Sequence, residues 1–259
     1  MPHARVTLRA QGFVRWLTLS QPATGNAIDR AVAREMQAHC AALQEDDEAR
    51  VLVVAATGTD FCVGATPGEL KDTRSPAEWE ARLAGLRVAQ AVADLRIPTI
   101  AAMQGRALGQ GLELALACDL RIAAQGSTLG LPQVSQGYLP WDGATQRLPR
   151  LIGSGRAVEL LYTGRSINAD EALDMGLVHR VVPAESLEQA ARELAERIAG
   201  YAPLAERYAK ETVLKGLDGT LEQGLVLEAD MAIQMHTSAD RAEGIASFLQ
   251  KRKPHFKGA

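Results

Sequence analysis

Two short apolar runs, Val51-Leu-Val-Val-Ala55 and Thr99-Ile-Ala-Ala-Met103, restrict what this chain can become. A strand that is apolar at nearly every position has no face to give to water, so it is expected to be buried on both sides. Strand-then-helix units repeat up to about residue 125, which predicts an α/β fold with a parallel sheet and crossover helices. Val6, Leu8, Val14, Trp16 and Leu19 alternate around Gly12 and predict an opening hairpin. The spacing of Val32, Met36, Cys40 and Leu43 predicts a helix from Asp29 to about Leu43. Ser75-Pro-Ala-Glu78 opens another helix, expected to run to about Leu95, with Ser as N-cap and Pro in the first turn.

Gly105 to Gly111 reads as a glycine-rich turn, followed by a helix over about 109–118 and a strand at Leu120–Ala124. Helices are expected over about 143–152, 155–162 and 169–175, the last capped by Asn168. From Ser186 onward the pattern is helical: about 187–199, 204–214, 221–235, and a last helix capped by Ser238 that ends near Leu249. The organisation expected is a core with its site over residues 1–200 and a helical oligomerisation region over 201–259.

Composition narrows the function classes. A length of 259 residues with 47% hydrophobic and 23% charged residues suits one sizeable core. A net charge of −3 gives no general attraction to nucleic acid or anionic membrane, so any anion site must be built locally. Cys40, Cys62 and Cys118 form no CxxC or Cys/His cluster and read as reduced thiols, with no metal site expected. Met1-Pro2-His3 runs into the first strand without an apolar signal core, and no run approaches membrane-spanning length; a cytoplasmic protein is expected.

The most informative stretch is Met103-Gln-Gly-Arg-Ala-Leu-Gly-Gln-Gly-Leu-Glu-Leu-Ala-Leu-Ala-Cys-Asp119. It combines a buried strand, a glycine turn and a helix whose first N–H groups lack internal partners, which is a place for an anion. Glu113 falls one turn after Gln110, near the same face. The glycines also suit a plain packing junction, and their spacing is not the dinucleotide fingerprint. The second stretch, Gly58-Thr-Asp-Phe-Cys-Val-Gly-Ala-Thr-Pro-Gly-Glu-Leu-Lys71, follows the strand at 51–55. It puts backbone N–H groups at the carboxyl edge of the sheet. One donor from each loop would make a two-donor oxyanion hole.

These loops resemble those of the crotonase (enoyl-CoA hydratase/isomerase) superfamily, and the similarity extends along nearly the whole chain. Gln21-Pro-Ala-Thr-Gly-Asn-Ala27 is similar to its RPxxxNA loop, and Pro140-Trp-Asp-Gly-Ala-Thr-Gln-Arg-Leu-Pro-Arg-Leu-Ile-Gly153 to its PGxGGTQRLPRLxG segment. Leu161 to Val178 resembles LTGxxxxAxEAxxxGLV, and Glu243 to Lys257 the usual C-terminus. The resemblance implies a crotonase-like spiral of ββα turns, a C-terminal helical trimerisation region, and a homo-oligomer built as a trimer or a dimer of trimers. It implies an acyl-CoA thioester substrate and no separate cofactor, since coenzyme A is part of the substrate.

By the same resemblance, the backbone N–H groups of Ala65 and Gln110 are the oxyanion donors. Glu113 is the proton-transferring carboxylate. The acyl pocket includes Trp141, Thr66 and Gly109, and the coenzyme A contacts are Ala23, Cys62, Gly64, Lys253 and Lys257, some of them across a subunit boundary. Five positions depart from the family pattern: Thr66 stands where relatives often carry Asp, Trp141 adds unusual bulk, and the other three bear on the chemistry. Gln110 replaces a usual glycine. Gln133 stands where hydratases place a second glutamate, and an amide cannot trade protons near neutral pH. Asp142 stands where relatives carry small residues, either as a second acid facing the pocket or as the N-cap of the helix beginning at Gly143. The expected activity is hydration or dehydration of an α,β-unsaturated acyl-CoA, with cyclic and aromatic acyl groups among the candidates. Isomerisation, decarboxylation or ring C–C hydrolysis in the same frame is the alternative, and a non-catalytic acyl-CoA binder is the remote one.

Overall fold

The computed structural model describes residues 4–70 and 75–259, so residues 1–3 and 71–74, among them Met1, Pro2, His3 and Lys71, lie outside the described residues. Among the described residues nine strands are present: β1 Val6–Gln11, β2 Val14–Leu19, β3 Val51–Ala56, β4 Thr99–Met103, β5 Arg106–Leu108, β6 Leu120–Ala124, β7 Thr128–Gly130, β8 Ser166–Asn168 and β9 Arg180–Val182. Six form one sheet in the order β1-β2-β3-β4-β6-β9, antiparallel between β1 and β2 and parallel thereafter. The other three form a small sheet in the order β5-β7-β8. An isolated parallel bridge from Cys62 to Ala107 extends the small sheet by one rung. After β3 the chain alternates between the two sheets, β4 then β5 and β6 then β7, and the expected spiral is present.

Alternation along β3 shows why the apolar runs are needed. Leu52 and Val54 enter one core with the helix α1 (Arg30–Gln44), whereas Val51 and Val53 enter another. That second core is closed by Leu187, Ala191, Leu194 and Ala195 of a helix over residues 187–199. Both faces of the large sheet are therefore covered. Asp29 caps α1, accepting from Ala31 N and Val32 N.

The helix expected from Ser75 to Leu95 is instead two: α2 (Pro76–Leu86) and α3 (Ala89–Ala93), separated by an extended Arg87. Next come α4 (Gln110–Ala117), α5 (Ala144–Ile152), α6 (Ser154–Thr163), α7 (Ala169–Asp174) and α8 (Leu187–Ala199). The C-terminal region holds α9 (Pro203–Gly216), α10 (Leu221–His236) and α11 (Ala239–Leu249). It is fastened to the core rather than hung from it. Lys210 pairs with Asp119 at 2.9 Å, and Arg50 donates to Phe256 O at 2.7 Å. No helix among the described residues is long and apolar enough to cross a membrane.

Candidate active site

The two loops singled out in the sequence meet at the carboxyl ends of β3 and β4. Three contacts bring them together: Leu108 N donates to Cys62 O at 2.9 Å, Cys62 N donates to Arg106 O at 3.0 Å, and Asp60 clamps Arg106 with both carboxylate oxygens. Asn26, in the early loop, ties the same junction from the other side. Its amide donates to Thr57 O and Asp60 O at 2.9 and 2.8 Å, and its oxygen accepts from Gln21 N.

Ala65 forms a parallel bridge with Ile28 in which Ile28 N bonds Gly64 O and Thr66 N bonds Ile28 O. In such a bridge the flanking residues make the bonds, so the N–H of Ala65 itself turns to the opposite side. Gln110 is the first residue of α4, and its N–H has no place in the helix ladder. Neither N–H has an acceptor among the described residues. The two segments lie close together, because a Cβ on Gly64 would stand 3.0 Å from Leu108 O and 3.4 Å from Gln110 N. Only glycine, here with φ +101°, leaves the Gln110 amide uncovered.

Glu113 is completely buried one turn into α4. Its Oε1 accepts from Asp142 N at 2.8 Å and Ala144 N at 3.1 Å, while its Oε2 has only a long 3.4 Å contact from Gln133 Nε2. Burial pushes its carboxyl up to about 7, with the charge of Asp142 adding to the rise and backbone donors at Ala144 and Asp142 opposing it. A carboxyl poised there can both accept and return a proton near neutral pH. Gln133 is buried beside it, with its Oε1 lacking a partner. Gly109 adjoins Gln133, since a Cβ on Gly109 would lie 3.6 Å from Gln133 Nε2, and its own N–H is engaged by Gly130 O.

Asp142 does not cap the helix that follows it, because the N-cap position of α5 is Gly143, without a side-chain cap. Its Oδ2 instead accepts from Val88 N, Ala89 N and Gln110 Nε2, at 2.9, 3.0 and 3.0 Å. Val88 and Ala89 open α3, so this carboxylate is what interrupts the long helix expected there. No local pattern foretells this, since the contacts reach back 53 and 54 residues. Trp141 is half-buried with Tyr138 at a ring separation of 5.6 Å, and its indole N–H has no partner. Thr66 is half-buried at the far side of the Ala65 turn.

The expected coenzyme A contacts divide. Ala23 is exposed on the rim of the early loop. Cys62 is a correction: it is fully buried, its N–H and carbonyl are engaged by β5, and its Sγ accepts from Gly64 N. Gly64 is likewise buried, a spacer between loops rather than a contact surface. Lys253 and Lys257 are exposed, but their segment packs beside Arg50, at the amino end of β3. The oxyanion turns follow the carboxyl end of that strand, about 17 Å away along six residues. Within one chain these lysines do not adjoin the site. His179, away from this cluster, accepts from Arg121 N through its ring.

Residues 9–259 match the sequence model of a family described as enoyl-CoA hydratase/isomerase. The chain is 42% identical over 254 residues to an enoyl-CoA isomerase/hydratase of Mycosarcoma maydis, covering 93% of this chain and 92% of that one. It is 34% identical to a crotonyl-CoA hydratase of Syntrophomonas wolfei, over 99% of both chains. A solved enoyl-CoA hydratase from Bacillus anthracis superposes with a TM-score of 0.94 at 39% identity, covering 98% of this chain and all of the other.

Proposed function

The chain belongs to the enoyl-CoA hydratase/isomerase family, and on that premise we propose that it adds water to, or removes it from, the α,β double bond of an enoyl-CoA. The observation that carries this is the buried Glu113 beside two backbone N–H groups without acceptors. The thioester oxygen accepts from Ala65 N–H and Gln110 N–H. Glu113 takes a proton from water as the water oxygen bonds to Cβ, and the double-bond electrons move onto the thioester oxygen as an enolate. When the enolate collapses, Glu113 returns the proton to Cα. Donors aimed at the developing oxyanion are worth roughly 3–4 kcal/mol each. Gln133 supports hydration by offering its unpartnered Oε1 to the second hydrogen of the water. No cofactor beyond the coenzyme A of the substrate enters this scheme.

One observation favours a second reading, a double-bond shift: Gln133 cannot trade protons, so Glu113 alone must carry any proton moved. Product mass separates the two. Wild-type enzyme given crotonyl-CoA should yield a product heavier by one water. Conversion of a β,γ-enoyl-CoA without mass change, and no turnover of crotonyl-CoA, would overturn hydration. Glu113→Gln should lower kcat by about 10³-fold or more while coenzyme A binding, read by calorimetry, stays within a fewfold.

The protein is further proposed to assemble with copies of itself through the exposed apolar side of α9 and α10, and to present Lys253 or Lys257 to coenzyme A bound in a neighbouring subunit. Its three unpaired cysteines are buried and suit a reducing compartment such as the cytoplasm.

A further inference from the structure

Asp142 touches both halves of the proposed machinery. Its main-chain N–H holds Glu113 Oε1 at 2.8 Å, and its Oδ2 accepts from the side-chain amide of Gln110 at 3.0 Å. Gln110 needs that hold. It is the first residue of a helix whose N-cap, Gly109, makes no side-chain cap, and such a first turn frays when nothing fastens it. The Gln110 amide is fastened twice, to Asp142 and to Leu86 O at 2.6 Å, the last residue of α2. Asp142 is itself fixed by Val88 N and Ala89 N. Thus the α2–α3 break, the oxyanion turn and the segment before α5 form one buried polar unit. The side chains at 110 and 142, both departures from the family pattern, bond to each other.

We infer that Asp142 is a positioning residue, which holds the Gln110 oxyanion donor and the Glu113 carboxyl in register and does not itself exchange protons with the substrate. Resting on the function proposed above, this predicts opposite behaviour from two substitutions. Asparagine keeps an acceptor for Val88, Ala89 and Gln110, so the register survives. Alanine strands three buried donors.

The groups coupled to the Glu113 charge are Asp142, whose own charge pushes the Glu113 carboxyl upward, and Tyr138, whose hydroxyl is pushed upward by burial and by Glu113 and donates to Gln136. Removing the Asp142 charge therefore moves the acidic limb of the rate profile toward lower pH.

The test uses the full-length enzyme with crotonyl-CoA as probe, measuring kcat, KM and their pH profiles, with thermal melts to confirm folding. Asp142→Asn should lower kcat by no more than about tenfold and shift the limb downward. Asp142→Ala should lower kcat by roughly 30- to 100-fold with KM within a fewfold, and adding Gln110→Ala to it should cost little more, since both remove one tether. Two results would overturn the inference. In one, Asp142→Asn is as slow as Glu113→Gln with an unmoved limb; in the other, a folded Asp142→Ala enzyme has wild-type kcat. Full activity in Glu113→Gln would instead strike down the underlying function, so the two failures are told apart.

Discussion

At the scale of single residues, Glu113 is held where it lowers stability and raises reactivity. Its folded carboxyl sits at about 7 against an ordinary 4.5, so between these values the native state binds more proton than the unfolded chain. Stability from this group is therefore complete below about pH 4.5 and declines as pH rises through 7, by about 3 kcal/mol in all. Glutamine at 113 has the same shape and no charge to desolvate. Its oxygen can keep the Asp142 and Ala144 donors, and its NH2, in the place of Oε2, reaches the unpartnered Oε1 of Gln133 once that amide turns over. The Glu113→Gln protein should melt several degrees above wild type at pH 8 and together with it at pH 5. Glu206, half-buried in α9 and also raised to about 7 by burial, titrates in both proteins and cancels in the comparison. Equal melting temperatures at pH 8 would contradict the raised carboxyl. The catalytic counterpart is that kcat/KM for hydration rises with pH through about 7, following the ionised form. A flat profile from pH 5.5 to 8.5 would remove Glu113 as the base.

At the scale of elements, the position of α4 against the Cys62 segment decides whether two amides can share one oxygen. A Cβ on Gly111 would stand 2.2 Å from Cys62 O, and backbone cannot yield as a side-chain tip can. Gly111→Ala should push the loops apart, lowering kcat by about 10²-fold or more and stability by roughly 2–4 kcal/mol, read from activity and denaturant melts. Wild-type kcat in that variant would mean that the loops need not touch. Elements of this kind were legible unevenly. The buried strands β3 and β4, the turn at Gly109, and Glu113 one turn beyond Gln110 all stand in local spacing. The three-residue strands β5, β7 and β8 do not, because each is shorter than the period needed to reveal it and pairs with a segment far along the chain. Residues 106–108 thus read as part of a turn. The α2–α3 break was invisible for a similar reason: helical spacing continues through Arg87, but Asp142 captures the amides of Val88 and Ala89. Cys62, expected to contact coenzyme A, is sealed by the same short-strand pairing that its sequence did not announce.

At the scale of the whole molecule, the C-terminal helices leave one surface unexplained by a single chain. α10 contains no buried residue, and Leu221, Leu225 and Ile233 on it are 79%, 56% and 67% exposed. Val213 and Leu217 at the end of α9 continue this surface, while Gly216 and Gly224 bring the two helices together. Exposed apolar side chains gathered on one face suit a contact with another protein, and copies of the same chain are proposed to supply it. The lysines give the assembly a consequence for binding. Because Lys253 and Lys257 sit at the amino end of β3 and the oxyanion turns lie beyond its carboxyl end, they can serve a coenzyme A phosphate only in a neighbour. Leu221→Glu with Leu225→Glu should then release monomers, seen by light scattering, and raise KM for crotonyl-CoA by roughly tenfold while free coenzyme A also binds more weakly. Lys253→Ala with Lys257→Ala should raise KM similarly without changing the mass of the assembly. Should the charge-bearing α10 variant keep the wild-type mass, α10 is not the interface. Should it fall apart into monomers with unchanged KM, each site is complete within its own chain and the lysines belong to the solvent.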